Sequence, residues 1–464
     1  MSDTPQALED GARLVCQTMK SQGFQAYWVG GCVRDRLLGR PLKDIDIATD
    51  ARPQDIAHLF EKTKLVGAAF GVCIVRQGEH VYEVATFRQD GSYTDHRRPD
   101  SVTYGTAEQD AHRRDFTINA LFQDPETGEV LDLVGGMDDL RAGRLRTVGD
   151  PRQRFSEDAL RLLRAIRFAA RLDFEIEAET WEALREMAPD IRHVSPERHR
   201  DELTRILMDD TPSRALRLMD ESGLLERLLP EIAAMKGVEQ GRRFHPEGDV
   251  FVHTLLCLDN LEVRTPVTVW AMLLHDVGKP PTAERDLETG KISFYGHERV
   301  GAEMAEDIGR RLRMSNDDIR KISDVVARHM RFMHASDWNR STMRKFLAAD
   351  TIEEDLAIHK SDCRSSHGML HAYDLVRGEL AALREKQENP IPPPLLTGQD
   401  LKAMGFQPGP IFREILEAVQ ERQLEGELRS AEEARGFVAG RFQGMKFTTE
   451  ARRHGESVEG KDVT

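Results

Sequence analysis

Two aspartates separated by a single residue, Asp44 and Asp46, are the side chains of this sequence best suited to chemistry. They lie in the alternating run Asp-Ile-Asp-Ile, and in a β-strand residues i and i+2 point to the same face. The two carboxylates should therefore project together, where they repel each other unless a cation neutralises them. Oxygen ligands of this kind suit Mg²⁺, which binds through one or two carboxylates together with substrate phosphates.

A glycine pair precedes the aspartates along the chain. Gly30 and Gly31 follow an apolar run at residues 26–29, and a strand end without side chains lets backbone N–H groups approach a phosphate closely. Arg34 supplies positive charge nearby. Residues 28–50 thus predict a site that binds both a metal and a triphosphate. The alternative is a tight turn that leads into a strand whose acids are only solvated.

The same residues carry a family resemblance. The pattern GG-x-VRD-x-LLGR-x-x-x-D-x-D-x-x-T is similar to the signature of the bacterial and eukaryotic class of CCA-adding tRNA nucleotidyltransferases and poly(A) polymerases, within the polymerase-β-like superfamily. The fixed spacing from the glycines to both aspartates makes the match specific. The resemblance implies a catalytic site in which Asp44 and Asp46 bind Mg²⁺.

A third acid is expected on a neighbouring strand. Runs at 72–76 and 81–87 predict a hairpin, because the intervening Gln-Gly-Glu-His has the length and the glycine of a turn. Glu83 lies on the second run, where burial of an acid is costly unless it is neutralised. In the family this strand carries the third active-site acid, so the resemblance assigns that role to Glu83; pairing with an arginine such as Arg88 is the alternative.

Residues 113–119, with the sequence RRDFTIN, resemble the family's second motif, which is associated with contacts to the nucleotide ribose. Choosing a ribonucleotide requires hydrogen bonds to the 2′-OH, which both donates and accepts. Arg114, Asp115 and Asn119 offer the complementary groups. These three residues are therefore predicted to bind the nucleotide.

From Phe155 the hydrophobic periodicity becomes helical, and Ser156 is predicted to cap the helix. Asp158, Arg161 and Arg164 are spaced by three, so they should share one face. An arginine that donates and an aspartate that accepts satisfy cytosine or adenine, whereas guanine and uracil leave polar groups unpaired. The family's fourth motif, E-D-x-x-R, falls here and implies that Asp158 and Arg161 select the base, beside Arg164; an intrahelical salt bridge is the alternative.

Three other stretches resemble family features less specifically. Residues 89–105 resemble a mobile loop that members adding only CC are described as lacking. Residues 132–140 resemble a hinge motif, with a plain loop as the alternative. Residues 194–203 resemble the fifth motif, although capping by Ser195 and internal pairing of Arg198 are the preferred interpretation.

Histidines and aspartates beyond residue 230 resemble the HD domain of metal-dependent phosphohydrolases. The minimal ligand set of that domain is a His, a His-Asp pair and a distant Asp, which by position are His253, His275, Asp276 and Asp362. His297 and His329 would complete a larger site or contact the substrate. Imidazole with carboxylate suits several divalent metals, so the sequence leaves the metal unidentified.

Length and composition predict a soluble, helix-rich protein of several domains. The chain has 464 residues with 39% hydrophobic and 31% charged content, which exceeds what a single core holds. No apolar run approaches the roughly 18 residues that cross a bilayer, and the acidic N-terminus is unlike a signal peptide, so we expect a cytoplasmic protein that does not bind a membrane. The five cysteines contain no C-x-x-C, which favours reduced thiols over disulfides or a zinc site.

The net charge of −15 is unexpected for a protein that binds nucleic acid, because phosphates are contacted by Lys and Arg. The distribution is more informative than the sum. Nine arginines against three acids between Arg141 and Arg171 form a local basic stretch, which is a plausible footprint for RNA. A solvated charged helix is the alternative.

The predicted fold class is α+β. A polymerase-β-like nucleotidyltransferase head at 1–150 precedes a helical neck at 151–235, an HD domain at 236–388, a C-terminal helical module at 389–444 and a disordered tail at 445–464. The head should hold Mg²⁺ and the HD domain a divalent metal.

The function that the resemblance implies is template-independent addition of CCA, from CTP and ATP, to the 3′ end of tRNA, together with possible HD phosphohydrolase activity. Rivals within the class are an A-adding or CC-adding specialist and a poly(A) polymerase. From a different class comes an HD phosphohydrolase whose head binds RNA without catalysis. The sequence leaves the oligomeric state open.

Overall fold

The computed structural model describes residues 5–66, 71–93, 99–241 and 248–442. The chain forms two compact units, Met1–Val326 and Ala327–Thr464. The predicted domain boundaries at 150, 235, 388 and 444 stay predictions. The predicted disordered tail and residues 94–98 of the predicted mobile loop lie outside the described residues.

Short strands are concentrated in the N-terminal part of the first unit. In chain order the strands are β1 (Ala26–Val29), β2 (Asp46–Thr49), β3 (Thr63–Leu65), β4 (Val72–Gln77), β5 (His80–Thr86), β6 (Arg88–Asp90), β7 (Val102–Tyr104), β8 (Leu121–Gln123), β9 (Val130–Asp132), β10 (Arg144–Leu145), β11 (Glu175–Ile176), β12 (Glu284–Arg285) and β13 (Ile292–Ser293).

Seven of these strands form one mixed sheet in the order β3-β4-β5-β2-β1-β8-β9. The central pair β2 and β5 is parallel, whereas β1 runs antiparallel to both β2 and β8. Alternation decides which side chains are buried: Tyr82, Val84 and Thr86 of β5 face the interior, and Glu83 faces solvent. The predicted hairpin is present, but Gln77 pairs with His80. The turn is therefore only two residues long, and a left-handed glycine suits such a turn.

Helices make up most of the remaining chain. They are α1 (Pro5–Ser21), α2 (Gly31–Leu37), α3 (Pro53–Leu59), α4 (Ala107–His112), α5 (Gly136–Arg141), α6 (Pro151–Glu157), α7 (Leu160–Leu172), α8 (Ala178–Met187), α9 (Pro196–Leu207), α10 (Pro212–Glu221), α11 (Leu224–Leu228), α12 (Pro230–Ala233), α13 (Val250–Asp259), α14 (Pro266–Leu274), α15 (His297–Arg311), α16 (Asn316–Arg328), α17 (Arg340–Leu347), α18 (Ile352–Ser365), α19 (His371–Glu385), α20 (Gly398–Ala403), α21 (Pro410–Glu425) and α22 (Ala431–Phe442). Short 3₁₀ helices span Thr117–Asn119, Ala188–His193, Pro280–Thr282 and His329–Asp337.

The single helix predicted from Phe155 is in fact two helices, α6 and α7. Asp150, not Ser156, caps the first of them, accepting hydrogen bonds from the backbone N–H groups of Arg152 and Gln153. The chain then becomes extended at Asp158, whose φ is −152°, and the Asp158 carboxylate accepts from the N–H of Leu160 at 3.1 Å. An acid that bonds the backbone two residues ahead competes with helix continuation, which explains the break.

Over residues 327–442, the described part of the second unit, buried apolar side chains form two hydrophobic cores. One gathers Phe332, Phe346, Leu356 and neighbouring apolar side chains. The other lies within residues 396–442, around Leu401, Ile415 and Val438.

Candidate nucleotidyl-transfer site

Two of the three predicted acids, Asp46 and Glu83, lie on the exposed face of adjacent strands, and Asp44 lies just before the first of these strands. Asp46 begins β2, which runs parallel to β5 with Ile47 opposite Val84, so that Asp46 and Glu83 are neighbours. Asp44, two residues upstream, is exposed as Asp46 is, and Ile45 between them is buried. The shared face expected from the alternation is therefore confirmed. The burial cost expected for Glu83 does not arise, because its side chain faces solvent.

Crowding of negative charge perturbs Asp46. Partial desolvation by the surrounding protein, followed by the charges of Glu83 and Asp44, raises its pKa to about 6, against a smaller opposing effect of Arg114. A divalent cation beside these carboxylates would remove the repulsion that causes part of this shift. The donor set consists of carboxylate oxygens, which are the ligands that Mg²⁺ takes, so the residues fit the predicted ion.

We expect Asp46→Asn to raise the melting temperature of the metal-free protein by about 1–3 °C near pH 7. A carboxyl whose folded-state pKa is above its unfolded value of about 3.9 destabilises the fold at pH above 6, and this penalty fades as the pH falls towards 4. The gain in melting temperature should therefore shrink over that range. Thermal unfolding in a chelator checks this, and a variant less stable than the wild type at pH 7 contradicts it.

The glycine pair lies beside the acids. Val29, the last residue of β1, pairs with Asp46, and Gly30 follows it at φ +79° before α2 begins. A Cβ on Gly30 would lie 3.2 Å from Nη1 of Arg114. The backbone conformation thus requires glycine at this position, and a side chain there would also displace the Arg114 guanidinium by a few tenths of an ångström.

Arg34 is more enclosed than a residue that only binds phosphate. It is 2% exposed, its Nε donates to Asp35 Oδ1 at 2.8 Å and its Nη1 donates to Asn119 Oδ1. Burial lowers its pKa, partly offset by Asp35. Arg34 therefore orients Asn119, and its predicted contact with phosphate stays a prediction.

Asp115 is the centre of the predicted ribose-binding group. Its Oδ1 accepts from the N–H of Phe116 and from Asn119 Nδ2, at 2.8 and 3.2 Å, and its Oδ2 accepts from Nε and Nη2 of Arg164 at 2.8 and 2.6 Å. Desolvation opposes ionisation, but Arg164 prevails and lowers the pKa of Asp115 to about 2. Arg114 in turn pairs with Asp110 at 2.9 Å and donates to the carbonyl of Asn119.

Asp115→Asn should lower the free energy of unfolding by about 1.5–3 kcal/mol at pH 7, because Arg164 loses a charged acceptor. A carboxyl with a depressed folded-state pKa contributes stability above the unfolded pKa, and that stability disappears as the pH falls through about 2. The difference between variant and wild type should therefore narrow below pH 4. Urea unfolding at several pH values measures it; a difference that is constant with pH contradicts the assignment.

The predicted base-selecting pair has different partners from those expected. Asp158 accepts two hydrogen bonds from Arg198, at 3.0 and 2.7 Å, and Arg161 donates to Glu157 and, at 2.8 Å, to the carbonyl of Arg154. The shared helical face predicted for Asp158 and Arg161 is wrong, because the helix breaks at Asp158. The internal pairing predicted for Arg198 is confirmed, whereas Ser195 occupies the N-cap position immediately before α9 without a side-chain capping hydrogen bond.

A cleft of about 540 Å³ nevertheless gathers these groups. It is lined by the glycine pair, both aspartates of the acid site, and every other residue predicted to bind the nucleotide. The predicted residues that line it are Gly30, Gly31, Arg34, Asp44, Asp46, Arg114, Asp115, Asn119, Asp158, Arg161 and Arg164. Glu83 lies next to this group, because β5 pairs with β2 and Glu83 is the neighbour of Asp46.

Sequence reasoning missed a set of side chains on α7. Phe168 is buried, and the centroid of its ring lies 5.1, 5.2 and 4.3 Å from the guanidinium carbons of Arg34, Arg164 and Arg167, at the wall of the cleft. Arg171 lines it as well, one turn beyond. The spacing of these residues at i, i+3, i+4 and i+7 from Arg164 was the available signal.

A second group of ionisable side chains lies later in the first unit, where three histidines surround Asp276. Asp276, 2% exposed, has its carboxylate oxygens 3.8 Å from His253 Nε2, 3.2 Å from His275 Nε2 and 3.5 Å from His297 Nε2. Four of the six residues predicted for the HD metal site are thus brought together. The other two, His329 and Asp362, belong to the second unit, and their part in the site stays a prediction.

Hydrogen bonds orient two of these imidazoles. Nδ1 of His275 lies 2.8 Å from the carbonyl of Met272, and Nδ1 of His297 lies 2.8 Å from that of Phe294. These contacts of Nδ1 direct Nε2 of both rings towards Asp276, which is the orientation that such hydrogen bonds give to metal-binding histidines. Burial opposes ionisation of Asp276, but His275 and the buried Lys279, at 2.7 Å, hold its pKa well below the usual range. The donor set fits a divalent metal.

Comparisons with known proteins match the regions of the chain that contain the two candidate sites. A family described as the poly A polymerase head domain matches residues 26–146, one described as a probable RNA and SrmB-binding site of polymerase A matches 173–236, and the HD domain matches 249–365. The solved CCA-adding enzyme of Bacillus stearothermophilus, in complex with CTP, is 26% identical with a TM-score of 0.74, and the match covers 96% of this chain and 99% of that one.

Two curated relatives extend the comparison. The CCA-adding enzyme of Streptococcus suis is 33% identical over 422 residues, 90% of this chain and 93% of that protein. Poly(A) polymerase I of Haemophilus influenzae is 40% identical over 244 residues, 50% of this chain and 54% of that protein.

A mixed sheet with an acid pair beside a nucleotide-sized cleft, followed by helices with an HD constellation, defines a nucleotidyltransferase of the polymerase-head class. Within that class, the chain belongs to the family of CCA-adding enzymes. Among the helices that the structure describes, none combines the length and the apolar character needed to span a membrane.

Proposed function

We propose that this nucleotidyltransferase transfers cytidylate and adenylate from CTP and ATP to the 3′ end of tRNA, completing CCA without a nucleic-acid template. The observation that carries the proposal is the single cleft lined by Asp44 and Asp46 and also by Asp158 and Arg161. A triphosphate at the acids and a base at the second pair can belong to one nucleotide only if both groups line the same cavity. The predicted cytoplasmic location is part of this proposal.

The reaction assigns separate tasks to the two ends of the cleft. Asp44 and Asp46, aided by Glu83, would hold Mg²⁺, which supplies activation of the terminal 3′-OH and stabilisation of the leaving pyrophosphate. Arg34, Arg114 and Arg164 place positive charge along the cleft, which attracts the triphosphate. Asn119 can offer both an amide N–H and an oxygen lone pair to the ribose hydroxyls. The oxygens of Asp115 already accept four hydrogen bonds, so Asp115 holds Asn119 and Arg164 in place.

Base selection rests on hydrogen-bond pattern. The two bonds from Arg198 fix the direction of the Asp158 carboxylate. Its Oδ1 accepts from Arg198 and from the N–H of Leu160, and its Oδ2 retains a lone pair that can accept from the N4 amino group of cytosine or the N6 amino group of adenine. Arg161 can donate to cytosine N3 or adenine N1. Guanine and uracil present an N–H at that position, which leaves donors facing each other at a cost of about 1–3 kcal/mol per unpaired group.

Defined tRNA ends test this function directly. Purified protein is incubated with tRNA ending before the CCA, after the first C, and after CC, with each nucleotide singly and with CTP and ATP together. We expect CTP alone to add the missing cytidines and stop, and ATP to add a single A to the CC end. Long A tracts would indicate a poly(A) polymerase, and arrest after CC with both nucleotides would indicate a CC-adding specialist.

The convergence of His253, His275, Asp276 and His297 favours a second activity, metal-dependent hydrolysis of phosphate esters such as cyclic phosphates at RNA ends. His275→Ala combined with Asp276→Ala should abolish both metal binding at this site and hydrolysis of 2′,3′-cyclic nucleotides, and leave nucleotide addition in place. His193→Ala, at an exposed histidine of the same unit, is the matched control. Hydrolysis that survives the double substitution would show that this site is idle.

An HD phosphohydrolase with a non-catalytic, RNA-binding head is the rival from another class. The complete set of three acids in the head disfavours it. The pKa of Asp46 is raised to about 6 by partial desolvation and, after that, by the charges of Glu83 and Asp44, and such crowding is unfavourable unless a metal offsets it.

A further inference from the structure

Cys257 lies among the histidines of the HD region. The ligand atoms of His253, Cys257 and His275 are all within 4.8 Å of one another. The Cys257 sulfur is 3.4 Å from His253 Nε2, and both side chains are fully buried. A thiol thus lies beside two of the imidazoles predicted to bind the HD metal.

The helix geometry accounts for this placement. His253 and Cys257 are four residues apart on α13, so they project from the same face. His275 follows the end of α14, and its ring centroid is 5.5 Å from that of His253. Two elements therefore direct three ligating atoms to one point.

The distance between Cys257 Sγ and His253 Nε2 is the one expected for two ligands of the same metal ion. Bond lengths of about 2.3 Å to sulfur and 2.0–2.1 Å to nitrogen, at a tetrahedral angle, place two ligands of one ion roughly 3.6 Å apart. The observed separation of 3.4 Å between Cys257 Sγ and His253 Nε2 is close to this value.

We propose that Cys257 is a ligand of the HD metal, bound as a thiolate beside His253 and His275; this inference rests on the proposed metal binding of that region. On coordination a metal–sulfur bond forms, and the thiol proton leaves to solvent. A thiolate with imidazole selects a borderline ion such as Zn²⁺ or Co²⁺ over Mg²⁺, which prefers oxygen. The two sites of the chain would then hold chemically different metals.

The chain contains a matched control. His359 and Cys363 are also four residues apart, on α18, with Cys363 Sγ 3.5 Å from His359 Nε2. Within the described ranges, this pair belongs to no group of three or more ligating side chains. Cys363→Ser thus removes a buried thiol of the same local geometry.

Titration of the metal-free, reduced protein with Co²⁺ tests the inference by absorption spectroscopy. We expect visible cobalt bands together with a near-ultraviolet sulfur-to-cobalt charge-transfer band. Cys257→Ser should lose the charge-transfer band and bind Co²⁺ at least about 10-fold more weakly, whereas Cys363→Ser should retain both features. Far-ultraviolet circular dichroism establishes that each variant is folded.

The possible failures are distinguishable. Visible bands that disappear in the His275→Ala variant, without any charge-transfer band in the wild type, would overturn the role of Cys257 and leave the HD metal site intact. A charge-transfer band that persists in Cys257→Ser would also overturn it. Cobalt binding that is unaffected by His275→Ala would overturn the HD metal site itself, and the inference with it.

Discussion

Asp44→Ala is expected to lower the rate of nucleotide addition by about 10³-fold or more. The lost interaction is the metal anchor, which supplies several kcal/mol of transition-state stabilisation, and each 1.36 kcal/mol corresponds to tenfold in rate. The acids are exposed and lie at a strand end, so the variant should fold. Single-turnover addition of CTP to tRNA lacking CCA measures the effect.

The control for this experiment is Glu79→Gln. Glu79 is an exposed acid in the turn between β4 and β5 of the same sheet, and its substitution changes the net charge by the same amount without touching the cleft. The control should add nucleotides at the wild-type rate. Addition at an undiminished rate by Asp44→Ala would exclude the proposed metal site.

The second large effect is expected on nucleotide choice. Asp158→Ala should reduce the preference for CTP over UTP by about 5- to 150-fold, since discrimination of 1–3 kcal/mol per unpaired group is lost. Because Asp158 also accepts from the N–H of Leu160, circular dichroism must accompany the measurement. The ratio of kcat/KM for the two nucleotides is the quantity to compare.

The variant Arg198→Gln tests whether a change in base preference arises from the orientation of Asp158 or from a loss of folded structure. Arg198 holds Asp158 by two hydrogen bonds and so acts as a positioning residue; its loss should produce a smaller fall in the same ratio. Arg192→Gln, at an exposed arginine six residues earlier, should leave the ratio unchanged. An unaltered ratio in both Asp158→Ala and Arg198→Gln would mean that the base is selected elsewhere.

Local pattern was sufficient to predict the acid site. The alternation around Asp44 and Asp46 placed both carboxylates on one face because strand geometry repeats every two residues. The sheet register then positions Gly30 beside them, since Val29 pairs with Asp46. The predicted site residues of the head thus lie in or beside one cleft, although their chemical roles stay predictions.

The sequence could not predict which residues distant in the chain form hydrogen bonds with the predicted base-selecting residues. Ser156 and Asp158 are both residue types that cap helices well, so the local sequence does not decide which of them precedes a helix start. In the structure the carboxylate of Asp158 accepts from the N–H of Leu160, and the helix breaks there. Arg198, 40 residues away, carries no local signal that it pairs with Asp158.

Composition also does not show how the charges of the basic stretch at 141–171 are paired. Several of its arginines pair with acids from other segments, as Arg167 does with Glu202 and Arg171 with Asp35, and its predicted role as a footprint for RNA stays a prediction. A search for C-x-x-C could not single out Cys257, because His253 lies one helical turn away and His275 follows the next helix.

The most direct test of the central claim is a crystal structure with Mg²⁺ and a non-hydrolysable CTP analogue. We predict triphosphate oxygens at a metal bound by Asp44 and Asp46, and the cytosine edge about 3 Å from Asp158 and Arg161. A nucleotide whose base lies away from this pair while its phosphates occupy the acid site would contradict the account.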